Sequence, residues 1–238
     1  MPKLCRTPEG ARRVGAHVST LADKGSAIEI LLAARRIADW AKDEGVVGAI
    51  LTPRATCDHM GGVLADSVLQ AGLNYKTVVR PRVLAILESY PDHDTVSAVL
   101  SLTMERKTGE FLNWNHAEKV TRFESLVAFL SDWGIEDTDD LRTALQEDQF
   151  CEAVQTVNGI GPKTVDYMAC LVGIDSIAVD RHVRTFAKKV GVENTDYQFL
   201  HRSFCYAADF LELPRREFDA WLWRSASIRP TPQLSFAF

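Results

Sequence analysis

Two short segments hold the residue types and spacing that could do chemistry. The first, Val157-Asn158-Gly159-Ile160-Gly161-Pro162-Lys163-Thr164, is a two-glycine turn with a lysine at the mouth of the following helix. The second, Ala178-Val179-Asp180-Arg181-His182-Val183, places a carboxylate where another helix begins. Glycines two apart let a backbone take positive φ and approach another surface closely. Where such a turn opens a helix, its amides and the helix dipole favour an anion such as a phosphate. A lysine in that first turn faces the positive end of the dipole, where it is poorly placed for stability. The same field and partial desolvation lower its pKa, leaving more free amine for attack on a sugar carbon, and a carboxylate can manage the charge that develops. Each feature also has a structural reading: a glycine C-cap, a solvated helix-start lysine, and an aspartate N-cap, for which Asp180 is well suited.

The elements that must position these residues are helical. Apolar residues recur at helix spacing almost throughout, and the predicted class is all-α. Ser26-Ala27-Ile28-Glu29 reads as a capping box opening a helix with Ile30, Ala34, Ile37 and Ala41 on one face and Gly45 as its stop. Val46 to Leu51 is the single plausible strand. Helices are expected over Val63–Leu73 and Thr77–Ser89, from an Asp94 cap through Leu102, around Val120–Leu130, and over Leu141–Leu145. Phe150, Val154 and Val157 form the face entering the turn, and Val179, Val183, Phe186 and Val190 the stripe after it. Tyr197–Leu211 and Pro214–Ala226 close the chain, with Pro214 at a first helical position. Residues 1–25 read as a loose lead and 229–238 as a tail.

The chain has 238 residues, 46% hydrophobic and 25% charged, enough to bury a sizeable core. Its net charge of -5 argues mildly against a nucleic-acid partner, but only the surface that faces phosphates must be positive. The acid is concentrated: between Asp132 and Glu152 only Arg142 opposes a run of carboxylates, whereas Arg181, Arg184, Lys188 and Lys189 are the only charges from Arg181 to Gly191. The cysteines at 5, 57, 151, 170 and 205 form no CxxC pair, and Cys170 reads as a buried thiol. No apolar run reaches the ~18–20 residues needed to span a bilayer, and no signal-peptide core follows Met1. A reducing, cytoplasmic setting is expected.

Taken together, the two segments resemble the helix-hairpin-helix (HhH-GPD) DNA glycosylases, the superfamily of endonuclease III. The shared pattern is hydrophobic–x–Gly–hydrophobic–Gly–x–Lys–Thr, here Val157 to Thr164, followed by Val-Asp-x-His-hydrophobic, here Val179 to Val183. Upstream, Leu69-Gln70-Ala71 is similar to the family segment whose glutamine enters the duplex beside the extruded base, and Trp114-Asn115-His116-Ala117-Glu118 to its Asn-x-Lys-Ala helix start. The likeness covers residues from about 60 to 192. It implies two helical domains flanking a DNA groove: a central one over 62–175 ending in the hairpin, and a second formed by 26–61 plus 176–238.

The resemblance also implies roles. Lys163 falls on the nucleophile that forms a Schiff base, and Asp180 on the essential aspartate. Asn158, Gly159, Ile160, Gly161 and Thr164 fall on the DNA-gripping hairpin, whose carbonyls in the family can also hold a monovalent cation; Gln70, Arg181 and Arg184 are further candidate DNA contacts. The expected activity is base excision with associated AP lyase action, on double-stranded DNA carrying a damaged base or abasic site. The protein is expected to act as a monomer, without a membrane partner, and near the nucleoid if the source is bacterial. The chain departs from endonuclease III in three places. Cys205 is the only cysteine after Asp180, so no iron–sulfur cluster and no other cofactor is expected. The Lys163–Asp180 spacing is one residue tighter, and the lead before Gln70 is longer than in compact members. Two other readings remain: a non-catalytic helix-hairpin-helix DNA-binding protein, and an unrelated helical interaction protein with a chance turn.

Overall fold

The structure is a computed structural model that describes residues 26–48 and 55–228, with side chains to 225; among these every regular element is helical. Helix α1 (Ala27–Asp43) starts as its sequence predicts. Ser26 Oγ accepts from the Glu29 amide at 3.2 Å while the Glu29 carboxylate accepts from the Ser26 amide at 2.6 Å, so two otherwise orphaned donors are satisfied reciprocally. Its stripe of Ile30, Ala33, Ala34, Ile37, Ala38 and Ala41 is buried, and Gly45 follows its C-cap with φ +88°. The strand expected from Val46 is not formed in its described part. Val46–Gly48 continue a turn, and the Val46 amide reaches back to the Ala41 carbonyl at 3.1 Å; residues 49–51 lie outside the described residues, as do the lead over 1–25 and the tail over 229–238.

Helix α2 (Met60–Leu69) is buried on every side, and the rest of its half is built around it. A Cβ on Gly61 would meet the His93 carbonyl oxygen at 2.8 Å, so only glycine lets that backbone approach. The helix ends at Leu69, short of the expected Leu73. A π-helical turn over Tyr75–Val79 then runs directly into α3 (Arg80–Ser89), and α4 (Val96–Met104) is capped by Thr95 rather than Asp94. Thr95 Oγ1 accepts from the Ala98 amide at 3.2 Å, while the Asp94 carbonyl is used by the Met60 amide. The short α5 (Thr108–Phe111) had no counterpart among the expected elements. Helices α6 (Ala117–Asp132), α7 (Thr138–Ala144), α8 (Asp148–Val154), α9 (Pro162–Leu171), α10 (Arg181–Lys189), α11 (Tyr197–Phe210) and α12 (Arg215–Ile228) complete the order. Pro214 sits just before α12 rather than inside it, its carbonyl accepting from Phe218.

The buried apolar residues fall into two clusters. One runs from Met60 to Val172, with α2 packed against α3, α4, α6 and α9. The other joins Ile30–Val46 to Ile177–Leu222, with α1 against α11 and α10 against α12. The chain passes from the first to the second between Ile174 and Ile177, after α9 and before α10. Phe123 sits in the first cluster with no exposure, its ring 5.7 Å from Phe111. Phe123→Ala should cost about 3–5 kcal/mol, read as a lower urea midpoint. Leu84→Ala, at an exposed position, should stay within about 0.5 kcal/mol of the parent.

Candidate active site

The turn between α8 and α9 is anchored by Val157 and Ile160, both buried, so that Asn158 and Gly159 stand out exposed. Gly159 has φ +82°, a conformation that strains other residues, and an added Cβ would collide with the Arg122 guanidinium. Gly161 differs from expectation: its φ of -111° suits any residue, and a Cβ there would meet nothing within 4 Å. Pro162 takes the first position of α9, where its missing N–H costs nothing. Among the described residues no backbone carbonyl accepts from the amides of Gly159, Gly161 or Lys163.

Three carbonyls of the turn accept hydrogen bonds. Asn158's accepts from Arg122 Nε at 3.1 Å, Val157's from the Ile160 amide, and Gly161's from the Thr164 and Val165 amides. The guanidinium on α6 brings positive charge to the turn, where a monovalent cation would also have to sit. Thr164, an expected DNA contact, follows on the first turn of α9. It is 6% exposed, so its side chain is turned into the protein.

Lys163 enters the first turn of α9 half-buried, with its Nζ donating to Gln70 Oε1 and lying 5.2 Å from the centre of the Tyr167 ring. Gln70, expected as the residue that enters the duplex, is the C-cap of α2 and rests on the lysine. Burial pulls the Lys163 ammonium below the ordinary lysine range; the carboxylates of Asp180, Asp219 and Asp66 pull it back up, and Arg181 adds to the fall. Asp66 is 4% exposed and accepts from Tyr167 Oη at 3.0 Å and from Tyr75 Oη at 3.2 Å. Lys119 braces the same helix end, its ammonium donating to the Val68 and Ala71 carbonyls, each at 2.9 Å.

Asp180 is the N-cap of α10. Its Oδ1 accepts from the His182 amide at 2.7 Å and the Val183 amide at 3.0 Å, so both cap bonds fall on one oxygen. Its charge is nonetheless felt at Lys163. The structural and chemical readings of this residue are therefore compatible. Beside it, His182 stands 6.3 Å from the Trp223 ring, which also meets Tyr75 edge-on at 6.0 Å and carries Lys76 Nζ at 5.8 Å. Arg181 and Arg184 are exposed; Arg184 Nη1 donates to the Thr195 carbonyl at 2.7 Å rather than to a neighbouring acid.

Several of these neighbours escaped the sequence reading. Asp66 left a signal, as the only charged residue in the largely apolar run Met60–Leu69. Tyr167 is four residues beyond Lys163, on the same face of α9. Asp219 and Trp223 left none, since only the fold brings α12 here.

Among the described residues no group of three or more His, Cys, Asp or Glu side chains is placed to hold a metal ion, and no helix is long and apolar enough to cross a membrane. No family model matches the chain, and no curated protein matches it at a significant level.

The depressed Lys163 pKa has a consequence for stability. The folded value lies below the unfolded one, so between them the unfolded chain binds the proton more tightly and stability rises with pH. Below the folded value the full penalty is present. Lys163→Met removes it and should melt above the parent in neutral buffer, with the advantage shrinking as pH climbs through the folded value toward 10.5. Calorimetry across that range checks the sign; an advantage that grows with pH contradicts it.

Proposed function

We propose that this chain is a base-excision DNA glycosylase with associated AP lyase activity, a member of the helix-hairpin-helix superfamily without an iron–sulfur cluster. The observation that carries the reading is the Lys163 amine, half-buried at the start of α9, its pKa lowered by burial and its charge opposed by Asp180. A lysine kept only for solubility has no reason to sit there. The two apolar clusters support a pair of helical domains, and α8, the glycine turn and α9 support the hairpin.

In this reading the turn receives a DNA phosphate. The amides of Gly159 and Gly161 and the start of α9 supply donors, and Arg181 and Arg184 add positive charge. The target nucleotide is extruded at a cost of roughly a few kcal/mol, less for a damaged pair. The neutral amine of Lys163 attacks the sugar C1′ as the bond to the base breaks and the base leaves with the electron pair. Asp180 either takes a proton from the amine or stabilises the cationic sugar; both roles need its carboxylate beside the amine. Ring opening gives the Schiff base. Loss of a C2′ proton then expels the 3′ phosphate, and water hydrolyses the imine to regenerate the lysine. Gln70 must release the amine before attack, and its movement toward the duplex would do so.

Single-turnover assays on duplexes each carrying one damaged base test the reading directly. The parent should release at least one base and nick the strand. Asp180→Asn should slow release by about a hundredfold or more while DNA affinity holds, and Lys163→Gln should abolish nicking. DNA binding with no release from any duplex would leave a non-catalytic hairpin protein.

Gly161 separates binding from folding. Its Cβ position is open within the chain, so Gly161→Ala should change stability by less than about 0.5 kcal/mol. An added methyl there holds the phosphate off the turn, and affinity should fall roughly tenfold, as for one lost charge-assisted bond of about 1.5 kcal/mol. Unchanged affinity would place the DNA elsewhere.

A further inference from the structure

The chemistry above makes no use of Asp166, which stands on α9 three residues beyond Lys163. Its carboxylate is 18% exposed and divided between two other stretches of chain. Oδ2 accepts from Tyr197 Oη at 2.7 Å, and Oδ1 accepts from Ser176 Oγ at 3.0 Å. The Tyr197 hydroxyl in turn accepts from the amide of Val179 at 3.3 Å, and Val179 is the residue before Asp180. His201, one turn along α11, closes the group. Its Nε2 is 3.2 Å from Ser176 Oγ and 3.5 Å from Asp166 Oδ1, and its ring lies 11° from parallel to that of Tyr197.

The stretch between α9 and α10 needs such support. Residues 174–180 form no helix, and the amide of Val179, a residue 2% exposed, must find a partner away from water. The phenol supplies it. Burial first, then the Asp166 charge, pushes the Tyr197 hydroxyl far above the ordinary tyrosine range, so it remains a proton donor to Asp166.

We infer that Asp166 and Tyr197 are positioning residues whose hydrogen bond clamps the Val179–Asp180 segment to the helix that carries Lys163, and so sets where the Asp180 carboxylate stands relative to the amine. The catalytic meaning of the clamp rests on the proposed roles of Lys163 and Asp180; the coupling between the two segments does not. A misplacement of about 1 Å at a reacting pair can cost on the order of a hundredfold in rate.

The test reads the amine itself, without DNA. Limited acetylation across pH, followed by peptide mass spectrometry, gives the titration of Lys163 in the free protein. The charged groups that face it are Asp180 at the cap of α10, Arg181 on α10, Asp219 on α12, Asp66 on α2 and Lys119 on α6. Tyr197→Phe changes no charge and keeps the ring against His201. If the clamp holds Asp180 in place, this variant lowers the Lys163 titration below the parent's. The shift then disappears in an Asp180→Asn background, because the two changes act through one carboxylate. Asp166→Asn, judged by the same cycle, serves if the phenylalanine variant folds poorly. An unchanged titration, or a shift that persists in full in the Asp180→Asn background, overturns the proposal.

Single-turnover nicking of abasic duplex gives the second readout. The Tyr197→Phe protein should be about tenfold or more slower at saturating enzyme, with affinity unchanged. A parent that never nicks while the titration shifts as stated defeats the glycosylase reading and leaves the clamp. A parent that nicks, with Tyr197→Phe matching it in rate and titration, defeats the clamp alone.

Discussion

An ammonium taken out of water is costly unless its surroundings restore what the solvent supplied, and at Lys163 the protein restores only part of it. Gln70 accepts one hydrogen bond and the Tyr167 ring offers its face. Asp180, Asp219 and Asp66 oppose the desolvation without cancelling it. The remainder appears as a lowered pKa, which leaves more of the lysine as the free amine. Burial of this kind needs walls on more than one side. The first apolar cluster holds α2 and α9, and the second holds α10 and α12, so the lysine comes from one and Asp180 and Asp219 from the other. The two cores position the amine between them.

Much of this was legible in the sequence where a local rule decides the outcome. The Ser26–Glu29 capping box, Pro162 at the head of α9 and Asp180 at the head of α10 all depend on residues within one turn of each other. Errors arose where distant partners decide. Val46–Leu51 has the composition of a short strand, but α1 packs against α11 and its described residues simply close the helix. Thr95 takes the cap that Asp94 was expected to provide, because the Asp94 carbonyl is drawn to the start of α2. Of the site, the lysine, aspartate and turn were readable as a pattern. Asp219, Trp223 and the Tyr197–Asp166 bond were not, since they join residues that only tertiary folding brings together.

Charge follows the same division. The acidic stretch that makes the chain net negative is partly architectural. Asp137 and Asp140 build the capping box of α7, and Arg142 pairs with Asp139 while donating to the Val172 carbonyl. Such carboxylates are consumed in shaping helix ends and say little about partners. The cations after Asp180 are different, for Arg181 and Arg184 remain exposed and the charge of Arg181 acts on the Lys163 amine. A net charge of -5 can therefore coexist with exposed cations along α10.

In the proposed chemistry Lys163 acts as a nucleophile rather than as a buried counter-charge. Borohydride reduction in the presence of abasic duplex, followed by proteolysis and mass spectrometry of the trapped complex, separates the two roles. A nucleophilic Lys163 should give a stable adduct in which the sugar remnant is carried by the peptide containing Lys163, and the adduct should be lost in Lys163→Gln. An adduct on another lysine, or no adduct under conditions where the protein binds the DNA, would contradict it.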